Sequence, residues 1–330
     1  MAEFQHPPKS TGFVSKGNQN VHLEPRMVSS EAIPKYETIQ VVYQDKITKI
    51  VLNRPKKKNA FSVEMYQEVC TALDDAGQDD SVLTVVTGQG DYFSSGNDLS
   101  NALRPLTGSP EEVMKGRDGT VRDLIGKIID FPKPLVAMVN GPAVGIATTI
   151  LGLFDLVYAS DKATFNTPFS KLALYPEGCS SYTFPKIMGL SKAIEVLVFN
   201  KILTAQEAYH VGLVAEVFPD STFQQEVWSR LTVYATLPKN CLALSKQTDS
   251  KFRERENLHE VCDKELEASA SWIFFRRSPK ALSKILSKEI KAVMLYFFLM
   301  KDHPDIYCCP INTYYTSYIV LINILCMSNP

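Results

Sequence analysis

Residues able to do chemistry fall in three short runs: "YFSSGNDLS" from Tyr92, "VNGPAVGIATT" from Val139 and "ALYPEGCSS" from Ala173. The third holds one acid, Glu177, wedged between apolar residues and a turn. It reads either as a solvated turn carboxylate or as a base kept out of water. In the second case Leu172, Ala173, Leu174, Tyr175 and Pro176 are the neighbours that would exclude solvent and strengthen the carboxylate as a base. Each run also has a purely structural explanation. Gly96 can serve a left-handed turn, Asn140-Gly141 is a common turn dipeptide, and Pro176-Glu177-Gly178 can lead into the next helix. Their position gives the three runs weight together. Each follows a strand-like stretch, and ligand sites in α/β sheets gather at the carboxyl ends of strands.

The elements that must position these turns begin at Tyr36. Thr38 to Tyr43 and Ile47 to Leu52 are strand-like, joined by a polar turn at Gln44 to Lys46 and stopped by Pro55. Ser62 can cap a helix whose Met65, Val69 and Leu73 share one face, with Gly77 as its end. "VLTVVTG" reads as a buried strand, Glu111 to Ile129 as a helix, "FPKPLVAMVNG" as a strand, and "IATTILGLFDLVYAS" as a helix running into a strand. This alternation predicts parallel strands with crossover helices, an α/β fold. From Thr204 the chain reads as a helix, a short strand at Val214 to Val217 and then mostly helices, a cap on the core. The expected partition is a polar arm over 1–35, a core over 36–203, a helical cap over 204–285 and an atypical apolar tail over 286–330.

Composition narrows the function classes. In 330 residues, 45% of them hydrophobic, there is material for a sizeable core. With 35 Lys and Arg against 36 Asp and Glu, nothing global suggests a nucleic-acid or membrane partner, so an anionic ligand would need local positive charge. The seven cysteines include no CxxC pair and the five histidines are far apart, which argues against a disulfide framework or a metal site and favours a reducing compartment. The first thirty residues lack the apolar core of a secretory signal. "KAVMLYFFLM" and "YIVLINILCM" are about half as long as a membrane-spanning helix must be, so no span is expected.

Six ordered stretches, "LNRPKKKNAFS", "FSSGNDL", "KPLVAMVNGPAVG", "FDLVYASDKATFNTPFSKLAL", "PEGCSSYTFPKIMG" and "LTAQEAYHVGLVAEVFP", give the chain a resemblance to the crotonase, or enoyl-CoA hydratase and isomerase, superfamily from about Tyr36 to about Ser278. Within it the chain most resembles the 3,2-trans-enoyl-CoA isomerases of the "PEGCSS" type. The resemblance implies the crotonase, or ClpP-like, spiral of repeated ββα units with a C-terminal helical cap. It implies an acyl-CoA thioester as substrate, with no separate cofactor because coenzyme A is part of that substrate, and self-association as a trimer or a pair of trimers. It also implies an oxyanion hole made by the backbone N–H groups of Asn97 and Ile146. The local sequence suits that role: Gly96 frees the chain to turn an amide toward a ligand, and Ile146 follows Gly145 at a helix start. On this reading the side chains of Asn97 and Ile146 count for little.

Hydratases of the superfamily use two glutamates, and the matching positions here are Thr149 and Phe169, neither of which titrates near neutral pH. Isomerisation needs one base, and Glu177 stands where the resembling isomerases carry theirs. Ser95, Gly96, Asn97, Asp98, Leu99 and Gly145 would lie along the pantetheine and thioester. Lys58 and Ala60, in the basic run Arg54 to Ala60, would meet the nucleotide end. The runner-up reading is a non-catalytic crotonase module of the chromodomain-Y-like type, acting as a scaffold; a hydratase ranks below it. Resemblance suggests a peroxisomal or mitochondrial compartment, while "LSKIL" is internal and neither terminus offers a clear address.

Overall fold

In the antiparallel hairpin that opens the fold, β1 (Ile39–Gln44) pairs with β2 (Ile47–Leu52) from Ile39 opposite Leu52 to Gln44 opposite Ile47. Its two-residue turn puts Asp45 and Lys46 at φ +54° and +61°, the left-handed pair whose twist matches that of the strands. The computed structural model describes residues 36–98, 110–172, 174–248 and 254–277. The polar arm, Leu99 and the apolar tail lie outside the described residues.

Helix α1 (Val63–Gln78) begins as predicted, with Ser62 Oγ accepting the Met65 N–H at 3.3 Å, and it buries Met65, Tyr66, Val69 and Leu73. It runs one residue past Gly77, which lies against Pro132, 3.6 Å from where a Cβ would stand, and Asp79 supplies the cap. Strand β3 (Leu83–Gly88), α2 (Pro110–Ile129) and β4 (Leu135–Val139) follow. Every residue of β3 and β4 is buried, as expected of parallel strands covered on both faces. The chain continues through β5 (Ala143–Val144) and the single-turn α3 (Ile146–Thr149) into β6 (Leu156–Ser160) and β7 (Thr164–Asn166). Then come α4 (Ser180–Met188), α5 (Leu190–Leu197), β8 (Leu203–Thr204), α6 (Ala205–His210) and β9 (Glu216–Phe218). Helices α7 (Phe223–Tyr234), α8 (Lys239–Thr248) and α9 (Arg255–Arg277) complete the described chain.

The main sheet has the order β1-β2-β3-β4-β6-β9, parallel throughout except at the β1/β2 hairpin. Alternate residues serve two cores. Val86 and Ala137 face α1 and α2, while their neighbours Val85 and Val136 pack with Phe223, Val227 and Leu231 of α7. The strand expected at Val214 to Val217 is β9, two residues later, paired with β6. A second sheet, β5-β7-β8, has no counterpart in the sequence reading, since strands of two or three residues are too short to display a period. It holds Val144 beside Asn166 and thereby fixes the turn before α3. None of the described helices is long and apolar enough to cross a membrane.

One buried ion pair ties α1, β3 and β4 together. Lys133, 3% exposed, donates from Nζ to Asp79 Oδ1 at 2.7 Å, to Ser81 Oγ at 2.9 Å and to Ser81 O at 3.2 Å. Burial by itself would raise the Asp79 carboxyl, but hydrogen bonds from Lys133, Ser81 and Thr48 outweigh it and hold the group below the usual aspartate range. Burial lowers the Lys133 ammonium against the pull of Asp79; of the two directions, the carboxylate's reports the pairing. Because the folded pKa is depressed, the stabilisation is present at neutral pH and is lost as pH falls from the unfolded aspartate value through the folded one. Asp79→Asn is therefore expected to destabilise the protein by about 1–3 kcal/mol at pH 7, since Lys133 keeps its Ser81 partners but loses its counter-charge. Urea unfolding at pH 7 and at pH 3 tests this, and the penalty should shrink at the lower pH.

Candidate active site

The first of the three turns is laid between two others by backbone hydrogen bonds. The Phe61 N–H donates to Gly96 O at 2.8 Å and the Asp98 N–H to Phe61 O at 2.9 Å, while on the far side Val144 N–H donates to Ser94 O at 3.0 Å. These bonds alternate around Asn97. Among the described residues no acceptor takes the N–H of Asn97 or that of Ile146. Gly96 lies at φ +81°, and a Cβ there would stand 2.5 Å from the Val144 carbonyl oxygen, so only glycine permits this approach. Gly145, at φ +60°, donates its N–H to Asn166 O at 2.8 Å and leads directly into Ile146, the first residue of α3. The two amides expected to act together thus stand on adjoining segments.

Glu177 joins this pair of turns from the third. Its Oε1 accepts a hydrogen bond from Asn97 Nδ2 at 3.1 Å, across 80 residues of sequence. The same Asn97 side chain accepts at Oδ1 from the hydroxyl of Tyr66, a residue of α1 that is 2% exposed. This corrects the expectation that the Asn97 side chain counts for little: it is the link between a buried tyrosine and the carboxylate. Tyr66 is not among the residues that the sequence singles out for the site. Its only signal is a tyrosine on the buried face of α1, where a hydroxyl needs a partner.

The expected apolar screen is not closed in the single chain. Leu172 is 40% and Tyr175 45% exposed, because the short 3-10 turn Ser170–Leu172 carries this stretch along the surface. Leu174, Pro176 and Glu177 are half-buried, and Ala173 lies outside the described residues. Thr149 and Phe169 are both buried. Thr149 Oγ1 donates to Ile146 O at 3.2 Å and stands 2.6 Å from where a Cβ on Gly178 would be, so the third turn is closed down onto α3 at that point.

The basic run is divided by the fold. Arg54 is withdrawn from solvent chemistry: its guanidinium pairs with Asp98 Oδ2 at 3.0 Å and donates to Ala60 O. Asp98 is therefore the partner that locks the Arg54 to Ala60 turn onto the Gly96 turn. Lys56, Lys57 and Lys58 remain exposed, with the Lys58 ammonium 4.9 Å from the centre of the Tyr92 ring. Ala60 N–H bonds to Lys57 O at 3.0 Å, and Ser95 N–H to Lys58 O at 2.9 Å. Asn59, fully buried at φ +53°, stitches the region by donating to Tyr92 O at 2.8 Å and Gln89 O at 3.0 Å.

A final contact comes from the far end of the described chain. Glu265 of α9, 8% exposed, accepts from the Cys179 N–H at 2.8 Å and the Ser181 N–H at 2.9 Å. Nothing in "DKELEASA" marks it beforehand.

Fold and site together define an α/β protein of parallel strands and crossover helices in which one carboxylate is held beside two glycine-enabled turns. The chain belongs to the enoyl-CoA hydratase/isomerase family, whose sequence model matches residues 43–273. It is 61% identical over 226 residues to the human protein named enoyl-CoA delta isomerase 2, covering 68% of this chain and 57% of that protein. The chain thus spans little more than half the length of that relative. It is 50% identical over 264 residues to the mouse protein named enoyl-CoA delta isomerase 3, peroxisomal, covering 80% of this chain and 83% of the mouse protein. Among solved structures, an enoyl-CoA hydratase/isomerase from Pseudoalteromonas atlantica superposes with a TM-score of 0.67 at 28% identity, over 77% of this chain and 98% of that one.

Proposed function

We propose that the chain moves the double bond of a 3-cis- or 3-trans-enoyl-CoA to the 2-trans position, as a step in the oxidation of unsaturated fatty acyl groups. The observation that supports this best is the Glu177 carboxylate, oriented by the Asn97 amide, while the two positions that bear acids in hydratases are a buried threonine and a buried phenylalanine. The likeness to proteins named enoyl-CoA delta isomerases agrees with it. In the reaction Glu177 takes a proton from C2, and the C–H electron pair is delocalised through the thioester as a dienolate. The negative charge on the thioester oxygen meets the N–H groups of Asn97 and Ile146. Return of the proton at C4 places the double bond between C2 and C3. Nothing enters or leaves, so one acid–base group suffices where hydration would need two.

Coenzyme A would lie over the Lys56 to Lys58 turn, whose exposed ammonium groups suit its phosphates. Exposed Leu190, Ile194, Val198 and Phe199, on and just beyond α5, offer an apolar face for self-association, and the trimer or pair of trimers is what the resemblance implies. A peroxisomal location accords with the name of the mouse relative.

The test is direct. Purified full chain given a 3-cis-enoyl-CoA should convert many equivalents to the conjugated 2-trans thioester, followed by its ultraviolet absorption and by chromatography. Tight binding of acyl-CoA without turnover would overturn the reading and favour a scaffold. Formation of a 3-hydroxyacyl-CoA from the 2-trans thioester would instead restore the hydratase.

A further inference from the structure

Helix α4 begins immediately behind the base, and it begins without a cap of its own. Cys179 occupies the capping position in the left-handed region, φ +58°, and its side chain takes no N–H of the first turn. The Tyr182 and Thr183 N–H groups turn back to Cys179 O at 3.1 and 2.9 Å, which leaves the amides before them to be satisfied from elsewhere. Glu265 does so from α9, its two carboxylate oxygens taking the N–H groups of Cys179 and Ser181. An anion at a helix N-terminus is favoured by the aligned peptide dipoles, which offsets part of the cost of burying this carboxylate.

Around this clamp the loop has little freedom. Ser180 Oγ donates to Glu177 O at 2.9 Å, pinning the backbone of the base itself. Gly178, at φ +75°, is pressed on Thr149 of α3. On the other side the Cys179 thiol donates to Leu258 O at 3.3 Å, and the Tyr182 hydroxyl and Lys186 ammonium reach Glu254 at 3.0 and 2.7 Å. The loop that ends in Glu177 is therefore held between α3 and α9, with the two Glu265 bonds at its centre.

We infer that Glu265 is a positioning residue for Glu177: by clamping the amides of Cys179 and Ser181 it fixes the turn that aims the base at Asn97 and at the substrate. The inference rests on the isomerase reading. It makes docking of α9 a requirement for turnover, so the competent site spans Tyr66 to Glu265 and is incomplete without α9. Misplacing a base by about 1 Å can cost about a hundredfold in rate without touching the groups that hold the substrate.

The test uses the full chain, with Glu265→Ala and Glu265→Gln set beside wild type and Glu177→Gln. It reads kcat and KM for a 3-enoyl-CoA, the Kd of a saturated acyl-CoA and the thermal unfolding midpoint, with rates taken well below the lowest midpoint. The expected result for Glu265→Ala is a kcat lower by about 10- to 100-fold per folded molecule at unchanged KM and Kd. Glu265→Gln keeps one acceptor oxygen and should recover part of the loss. Should the alanine variant fail to fold, the glutamine variant decides alone: lower kcat at unchanged KM supports the role, and unaltered kcat overturns it. Loss of acyl-CoA affinity in step with kcat also overturns it, because general loosening of the site would explain both. A wild type that does not isomerise sinks the isomerase reading and this role with it, whereas an active wild type beside unaltered Glu265 variants sinks this role alone.

Discussion

Glu177→Gln should lower kcat for 3-enoyl-CoA isomerisation by about 10²- to 10⁴-fold, the range expected when a positioned general base is removed. The substitution is nearly isosteric, and the glutamine oxygen can still accept from Asn97 Nδ2, so the turn has no reason to move. What is lost is the capacity to hold a proton between its removal from C2 and its return at C4. Binding of saturated acyl-CoA should stay near wild type, because the amides of Asn97 and Ile146 and the lysines of the Arg54 turn are untouched. Exchange of C2 protons with deuterated solvent offers a second readout and should fall in parallel with kcat. A variant that turns over at the wild-type rate would remove Glu177 from the mechanism and, with Thr149 and Phe169 unable to replace it, the proposed chemistry as well.

Gly96→Ala is expected to cost about 10²- to 10³-fold in kcat, the loss seen when one oxyanion donor is misplaced. The new Cβ would stand 2.5 Å from the Val144 carbonyl oxygen, a backbone atom that cannot rotate away, and φ +81° is strained for alanine. Relief requires the Ser94 to Asp98 segment to part from the strand that precedes α3, which carries the Asn97 N–H away from that of Ile146. The Asn97 amide proposed to meet the oxyanion and the Asn97 side chain that bonds Glu177 then move together. Gly145→Ala is the informative contrast: it meets no atom within 4 Å and brings only the strain of φ +60°, so its effect should be smaller. Steady-state rates for the two variants, with unfolding midpoints to confirm a folded population, settle the comparison. Equal activity of Gly96→Ala and wild type would contradict an oxyanion role for this turn.

Much of the frame was legible from local pattern. The buried runs of β3 and β4, the capping serine at Ser62 and the alternation of strand and helix are short-range signals, set by side-chain period and by unsatisfied amides at helix ends, and they identified the α/β order and the turns at strand ends. Glu177 stood out as the one acid of its run, and the weight given to positions 149 and 169, where no acid stands, came from the resemblance to the crotonase superfamily. The small β5-β7-β8 sheet was invisible because two- and three-residue strands carry no period, and Arg54 looked like part of a basic surface until its pairing with Asp98 removed it. The expected apolar shelter of Glu177 is incomplete for a related reason: Leu172 and Tyr175 are apolar by type, but the path of the chain, not their type, decides whether they face water.

The sequence by itself therefore determined which residue types stand in which turns, with Glu177 the one acid in the third of them and no acid at positions 149 and 169. Tertiary structure alone decided how that carboxylate is held, by Asn97 across 80 residues with Tyr66 behind it and by a turn clamped from Glu265 across 86. The physical reason is range. Period, capping and turn preference act within a few residues, whereas a hydrogen bond between distant segments exists only after the sheet and its helices have brought them within about 3 Å, and no local signal encodes that meeting.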